Sequence, residues 1–224
     1  MMLVNSELNI KILLEENYIN VLVIENRSLF YNLINEIIMQ IEGNDGNWVL
    51  SEESKILAIN KTVSILVDYF RINYNSRSII AKLYSNLKDL ANSSEFFIAT
   101  NDIKQALIEY IEKLTYDTQL PVDINTDFDF QSIFKTFDVR LLDDNLNLVD
   151  TLNTYLNISR DLTDNKLTIF VNLFDYLNDE DIIMLYKSIS YNKHNVIFLE
   201  NKFIRKRADN EIVHIIDNDL CEIC

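Results

Sequence analysis

This chain contains few of the residues that interrupt regular secondary structure. Among its 224 residues there are two glycines, Gly43 and Gly46, and a single proline, Pro121. Because glycine and proline are the strongest helix breakers, their scarcity permits long helices. The turn around the two glycines and the segment around Pro121 are therefore the clearest boundaries between predicted elements.

Histidine and cysteine are also scarce, so the sequence contains no cluster of metal-binding histidines and no zinc-site spacing. The chain has two histidines, His194 and His214, and one Cys-x-x-Cys pair, Cys221 and Cys224. A zinc site needs a second pair of ligands at motif spacing, and the sequence has none. A frayed tail with reduced thiols is the simpler interpretation. No nucleophile elbow or His-Glu-x-x-His motif occurs either, so we expect a protein that is not an enzyme.

A nucleotide-binding site would lack its defining residues. Residues 19–24 and 25–30 have the strand–turn–helix order of a phosphate-binding loop, but the turn contains neither glycine nor lysine. Glycine permits close backbone approach to the phosphates, and lysine supplies charge. The apolar run 166–171 ends in Asn172, where a magnesium site of this kind has an aspartate. We therefore expect no nucleotide cofactor.

Long hydrophobic runs are missing as well. No apolar run approaches the ~18–20 residues that are needed to cross a bilayer, and the amino terminus lacks the basic region of a signal peptide. Hydrophobic residues make up 48% of the chain and aromatic residues 11%, as in a globular protein. We expect a cytoplasmic protein with no membrane partner.

Positive charge is scarce and unevenly placed. The chain has 20 basic against 35 acidic residues, a net charge of −15. Residues 55–113 nevertheless have more basic than acidic residues, and an apolar run at 195–200 is followed within a few positions by Lys202, Arg205, Lys206 and Arg207. Because the Debye length is ~8 Å at physiological salt, distant carboxylates weaken a local basic patch little. Such a patch favours a polyanion, although a solvated turn that keeps a sheet edge soluble is the alternative.

Apolar runs and helical periodicity alternate at both ends of the chain. Alternating apolar residues predict a strand at 8–14, and near-continuous apolar runs predict buried strands at 19–24, 166–171, 195–199 and 211–216. Helical spacing of apolar residues predicts helices at 28–41, 146–158 and 179–189. This alternation predicts an α/β fold with a mainly parallel sheet that is covered by helices.

The middle of the chain has a different pattern. Residues 59–70, 79–90 and 103–114 each place apolar side chains at helical spacing, which predicts three amphipathic helices in an arm inserted into the sheet domain. Their polar positions include Lys61, Arg71, Arg77, Lys82, Lys88, Lys104 and Lys113. Solvation explains any one of these cations, but together they favour a partner-facing surface.

Carboxylates gather near Pro121 and form the one metal candidate. They are Asp123, Asp127 and Asp129, with Asp117 upstream. Oxygen-rich turns suit Ca²⁺, which takes 6–8 oxygen ligands. The glycine and the final glutamate of an EF-hand are missing from this segment, and the alternative is that these aspartates cap a helix that begins near Phe130.

Several segments, taken in order, carry a family resemblance. The strongest are 166–172, 176–181, 186–190 and 196–200 with the basic run that follows; the others are 68–76 leading to 82–84, and 130–137 followed by 139–142. Over nearly its full length the chain resembles the small ring-forming spacer-acquisition protein of type II-A CRISPR systems, often called Csn-two.

The resemblance implies a specific architecture and assembly. It implies a head domain related to P-loop ATPases but without a working nucleotide site, formed by residues 1–57 and 139–224, with an inserted helical leg at 58–138. It also implies a homotetrameric ring that threads the ends of double-stranded DNA through a cation-lined hole and uses Ca²⁺ to hold the ring. Such proteins act with the spacer integrase complex and the effector nuclease.

We therefore expect a non-catalytic, sequence-independent clamp on DNA ends. Charge position, rather than the resemblance, nominates the DNA-contacting residues: Lys61, Arg71, Arg77, Lys82, Lys88, Lys202, Arg205, Lys206 and Arg207. The nominated calcium ligands are Asp123, Asp127 and Asp129. The alternative is a nucleotide-free scaffold that binds proteins of the acquisition complex through its acidic face and does not bind DNA itself.

Overall fold

The computed structural model describes residues 1–118, 120–142, 147–203, 205 and 207–223. It divides into two compact units. One is made of residues 1–72 together with the described part of 145–224, and the other of the described part of 73–144. Among the described residues, no helix combines the length and the hydropathy that crossing a bilayer requires.

The first unit contains all the strands that the described residues form. In chain order they are β1 (Met2–Asn5), β2 (Ile10–Leu13), β3 (Ile19–Ile24), β4 (Trp48–Glu52), β5 (Lys55–Leu57), β6 (Val63–Leu66), β7 (Leu167–Val171), β8 (Val196–Glu200), β9 (Glu211–Ile216) and β10 (Glu222–Ile223). The larger sheet has the order β10-β9-β3-β8-β7-β6, in which β9 to β6 are mutually parallel. A smaller antiparallel sheet has the order β2-β1-β4-β5.

Helices connect and cover these strands or build the second unit. They are α1 (Arg27–Ile41), α2 (Ile59–Thr62), α3 (Arg77–Ala91), α4 (Phe97–Asp117), α5 (Gln131–Thr136), α6 (Leu148–Leu162) and α7 (Asp179–Tyr191), with a 3₁₀ helix at Leu173–Tyr176. The side chains of Asn26, Ser76, Asn147 and Asn178 accept a backbone N–H at the start of α1, α3, α6 and α7. These caps satisfy amides that would otherwise lack a partner and fix where each helix begins.

The predicted α/β class with a parallel sheet is confirmed. Strands β3, β7 and β8 are buried along their whole length because both faces of the sheet are covered. Leu22 and Ile24 of β3 face the core cluster that also contains residues of α1 and the small sheet. The alternate residues Val21 and Val23 face a second cluster with residues of α6 and α7.

The predicted helix at 59–70 is wrong. Only Ile59–Thr62 is helical, and Val63–Leu66 forms β6, which pairs with β7 in parallel. The β-branched Val63 and Ile65 pack into the cluster on one face of the sheet, whereas Leu66 packs on the other, as strand geometry requires. The start of the predicted leg therefore belongs to the sheet. The predicted strand at 8–14 is found as β2, but it lies in the antiparallel sheet.

The second unit is helical. Helices α3 and α4 cover the predicted helices at 79–90 and 103–114. Tyr84 of α3 packs against Phe134 of α5 with a ring-centroid separation of 6.0 Å, and Phe134 packs against Phe130 at 5.7 Å. Of α4, only Thr100 is buried, although the helix is rich in large apolar side chains.

Candidate nucleic-acid interface

The predicted basic run lies at the carboxyl end of β8, in the loop that leads to β9. Lys202 is half exposed, and its Nζ lies 2.9 Å from Oδ1 of Asp175, which follows β7. Lys206 lies outside the described residues. The carboxyl ends of parallel strands form the edge where ligands of open α/β sheets bind. Lys202 lies at this edge, in the loop after β8.

Arg205 points inward rather than toward solvent. Its side chain is 16% exposed and forms an ion pair with Glu211, whose side chain is fully buried. The guanidinium also donates to the Tyr186 hydroxyl at 2.7 Å and lies 4.2 Å from the centre of the Phe174 ring. Burial, followed by the hydrogen bond to Glu211, raises the pKa of Tyr186, so this hydroxyl stays neutral.

Arg207 is exposed but its guanidinium is also engaged. Its Nε and one terminal nitrogen donate to the Glu211 carbonyl at 3.0 and 2.8 Å. The backbone N–H of Ala208 donates to the Glu211 carboxylate at 2.8 Å. Glu211 therefore organises the loop through both its side chain and its carbonyl. In the sequence the signal for this role is weak: an acidic residue at the start of an apolar strand.

The cations of the helical unit are more accessible. Arg77 and Lys82 are exposed on α3, and no acidic partner lies within 4 Å of either among the residues described. Lys88, in the last turn of α3, pairs with Asp129 at 3.3 Å. Helix α3 contains these three cations and one acidic residue, Asp89. Helix α3 is therefore a locally basic element in an acidic protein.

Two further nominated cations lie in the first unit near β6. Lys61 is exposed in α2, immediately before β6. Arg71 is almost fully exposed and lies 3.8 Å from Asp68. Both residues are accessible to a ligand, and the exposed pair between Arg71 and Asp68 is of the kind that contributes only ~0–1 kcal/mol.

The structure does not gather the predicted calcium ligands. Asp123 accepts the N–H of Ile124 at 3.0 Å, and Asp129 accepts the N–H of Gln131 at 3.2 Å. This backbone hydrogen bond and the nearby Lys88 lower the pKa of Asp129. In the part of the chain that the structure describes, no three His, Cys, Asp or Glu side chains are placed to hold a metal. Asp123, Asp127 and Asp129 are therefore not gathered into one cluster among these residues.

The turn after β3 is short and is closed by the side chain of Asn26. Two residues, Glu25 and Asn26, separate β3 from α1. Oδ1 of Asn26 accepts the N–H of Leu29 at 3.0 Å, while its Nδ2 donates to the Asn218 carbonyl at 3.2 Å. The start of α1, where a phosphate loop would present free amides, is thus capped by the chain's own side chain.

Asn172, which follows β7, is also committed to the fold. It adopts a left-handed conformation, and its Oδ1 accepts the N–H of Asn201 at 3.1 Å. In a magnesium site of this kind, a carboxylate stands at the position of Asn172. Here the Asn172 side-chain oxygen instead hydrogen bonds to the backbone of the loop after β8.

A buried acidic residue, which the sequence does not reveal, lies at the carboxyl end of the parallel sheet. Glu200, the last residue of β8, is 2% exposed and accepts the N–H of Phe174 at 3.3 Å. Burial raises its pKa to about 8. Its neighbours are Asp175 and Arg205, and together they line a cavity of about 170 Å³.

Comparison with known proteins decides the family. Residues 40–220 match the model of the family described as CRISPR-associated protein (Cas_Csn2). The chain belongs to the Csn2 family of type II-A CRISPR systems. A CRISPR-associated protein Csn2 from Enterococcus faecalis is 24% identical over 191 residues, which is 83% of this chain and 84% of that protein.

A solved structure supports the fold of this Csn2 family member. The crystal structure of Stu0660 of Streptococcus thermophilus superposes with a TM-score of 0.61 at 15% identity, covering all of this chain and 76% of that one. At this identity the likeness concerns the fold alone. The resemblance that the sequence carries is confirmed at the level of the family by the match over residues 40–220.

Proposed function

We propose that this Csn2 family member is a non-catalytic protein that binds the ends of double-stranded DNA during spacer acquisition. Binding is independent of sequence, and the active form is a homotetrameric ring. The observation that supports DNA binding best is the basic helix α3, where Arg77 and Lys82 are exposed with no acidic partner among the described residues. Contacts from cations to phosphates supply affinity without reading bases.

Not every nominated cation has the same role in this proposal. Lys202 and Arg71 already form ion pairs with Asp175 and Asp68, so we assign them a secondary role in contacting phosphate. Arg205 is held in an interior ion pair with Glu211, so we assign it to the stability of the loop. Arg77, Lys82 and Lys61 are then the cations that are free to contact phosphates first.

The ring is supported by the exposed apolar side chains of α4. Tyr110 is 61% exposed, and Ile103 and Leu114 on the same side of the helix are each 50% exposed. An apolar helix face that its own protomer leaves uncovered is typical of an interface, and a second copy of the helix is the partner we propose. Symmetric assembly repeats a small number of cations around one axis, and this gives a weakly basic helix enough charge to hold duplex DNA.

In this proposal, Ca²⁺ binds between protomers of the assembly rather than within one protomer. Among the residues that the structure describes, the exposed Asp123 and Asp127 have no further acidic side chain placed to complete a metal site, so in this proposal the remaining carboxylates come from a second copy. Bound Ca²⁺ would neutralise carboxylates that otherwise repel one another. We also propose a degenerate P-loop ATPase-like head, an inserted helical leg, and a role beside the spacer integrase and the effector nuclease.

The absence of catalysis is supported by the capped turn at Asn26 and by Asn172, whose side-chain oxygen is hydrogen bonded to Asn201.

The second candidate, a scaffold for other acquisition proteins without DNA binding, is favoured by one observation. Lys88, Lys202 and Arg205 already pair with carboxylates of this chain.

The decisive experiment compares linear and covalently closed duplex DNA. A ring clamp retains linear duplex at ~50 mM salt, loses it as salt rises, and binds a closed circle of the same sequence much less. Light scattering on the same samples, with and without a calcium chelator, gives the assembly mass. Failure to retain linear duplex, or equal binding of the circle, contradicts the clamp. Protein that is assembled but does not bind DNA supports the scaffold.

A further inference from the structure

Three aromatic rings contact one another in sequence from the interior to the surface at the carboxyl end of the parallel sheet. Tyr69 is buried, and its hydroxyl donates to the Val171 carbonyl at 2.8 Å. The ring of Tyr176 lies 5.5 Å from that of Tyr69, centroid to centroid, and 5.6 Å from that of Phe70. Tyr176 is 50% exposed and Phe70 80% exposed. Each ring is therefore supported by the one beneath it.

The outer two rings contribute little to the core. Phe70 meets Tyr176 edge to face at 84°, an arrangement that holds the ring in place, and its backbone N–H donates to Asp68 at 3.0 Å. A phenylalanine that is fixed in position and still exposes most of its surface is typical of an aromatic anchor at a binding site. We call Phe70 and Tyr176 the aromatic platform.

The charges around the platform are mainly acidic. Asp68 accepts the N–H of Phe70, and Asp175 directly precedes Tyr176. Asp179 and Glu180, exposed in the first turn of α7, have no basic partner within 4 Å among the described residues. The basic side chains described in this region include Arg71, paired with Asp68, Lys202, paired with Asp175, and Arg205, paired with the buried Glu211. Carboxylates therefore outnumber cations at the platform.

This chemistry selects a cationic ligand. The face of an aromatic ring attracts cations, and arginine is preferred because its planar guanidinium stacks on the ring while it hydrogen bonds to carboxylates. We propose that the aromatic platform binds an arginine-bearing basic segment of a partner protein. Unpaired bases also stack on exposed rings, but their phosphates would meet an excess of carboxylates. This inference does not depend on the proposed DNA binding.

Synthetic peptides test the proposal with the full chain at physiological salt. The probes are nona-arginine and nona-lysine, and the variants are Phe70→Ala and the pair Phe70→Ala with Tyr176→Ala. The control is Tyr191→Ala, which removes an aromatic side chain that is 88% exposed at the end of α7. Thermal melting of each variant shows that it is folded, and Phe70→Tyr should restore binding because it keeps the ring.

Phe70→Ala should weaken nona-arginine binding about two- to fivefold, and the double variant should weaken it more. Nona-lysine should respond less, and Tyr191→Ala should bind both peptides like the wild type. Equal effects of Phe70→Ala and Tyr191→Ala would overturn the proposal, because binding would then be general attraction to an acidic protein. Loss of oligothymidylate binding in Phe70→Ala, with peptide binding unchanged, would also overturn it and would assign the platform to unpaired bases.

Discussion

Arg205, in the loop that carries the predicted basic run, forms an ion pair with Glu211, the first residue of β9. The carboxylate of Glu211 is fully buried, and it receives Arg205, the Tyr186 hydroxyl and the Ala208 N–H. A cation that the sequence presents as a ligand contact is therefore part of the folded core of the loop. We therefore expect this ion pair to stabilise the folded protein at the start of β9.

Removing one partner of this ion pair should destabilise the folded protein. Arg205→Met leaves the Glu211 carboxylate buried without its cation, and we expect a loss of about 3–5 kcal/mol in the free energy of unfolding. Denaturation in urea measures this loss. The double variant Arg205→Met with Glu211→Gln removes both charges and should recover most of the stability. If Arg205→Met is no less stable than a surface variant such as Lys187→Met, the pair does not organise the loop.

The strands at the centre of the sheet could be predicted because burial on both faces leaves a local signature. β3, β7 and β8 are unbroken apolar runs, so their type follows from composition alone. β6 could not be predicted in this way. Residues 59–70 also fit helical spacing, and the strand is selected by parallel pairing with β7 about a hundred positions away. Tertiary pairing therefore outweighed local periodicity.

Glu200 should make stability fall as pH rises. Burial raises its pKa to about 8 in the folded protein, while an unfolded glutamate has a pKa of about 4.3. Between these values the folded state holds a proton that the unfolded state has released, so stability decreases with pH by up to about 1.4 kcal/mol per unit from this group. The decrease should end near pH 8.

The variant Glu200→Gln isolates this contribution. The amide oxygen keeps an acceptor for the Phe174 N–H, but the side chain no longer titrates. Urea denaturation at several pH values from 5 to 8 should show a steeper decline for the wild type than for the variant. Parallel curves for the two proteins would mean that Glu200 is ionised throughout this range.

The candidate site could be predicted only in part, because pairing between distant residues is invisible in the sequence. The excess of basic residues in α3 follows from counting charges, and the structure leaves Arg77 and Lys82 exposed. That Asp175 would neutralise Lys202 depends on the neighbouring positions of β7 and β8. The contact between Phe70 and Tyr176 depends in the same way on β6 lying beside β7. These contacts are consequences of the sheet order.

Charge reversal on α3 should separate DNA binding from general electrostatics. Arg77→Glu with Lys82→Glu should weaken retention of linear duplex and make the dependence of log affinity on log salt less steep by at least about 1, because fewer phosphates are neutralised. The control, Lys11→Glu with Lys187→Glu, makes the same change in net charge at two exposed positions of the first unit. Equal losses in both double variants would show that net charge, rather than α3, governs binding.

Assembly should depend on the apolar side of α4. Ile103, Tyr110 and Leu114 are each at least half exposed and fall on one side of the helix at its 3.6-residue period. Tyr110→Glu with Leu114→Glu places charges on this side, so light scattering should show a smaller particle than the wild type forms. Asn101→Glu with Gln105→Glu adds the same charge on the opposite side and should leave the mass unchanged. A wild-type mass for both double variants would exclude this helix face from the interface, and a monomeric wild type would exclude the ring itself.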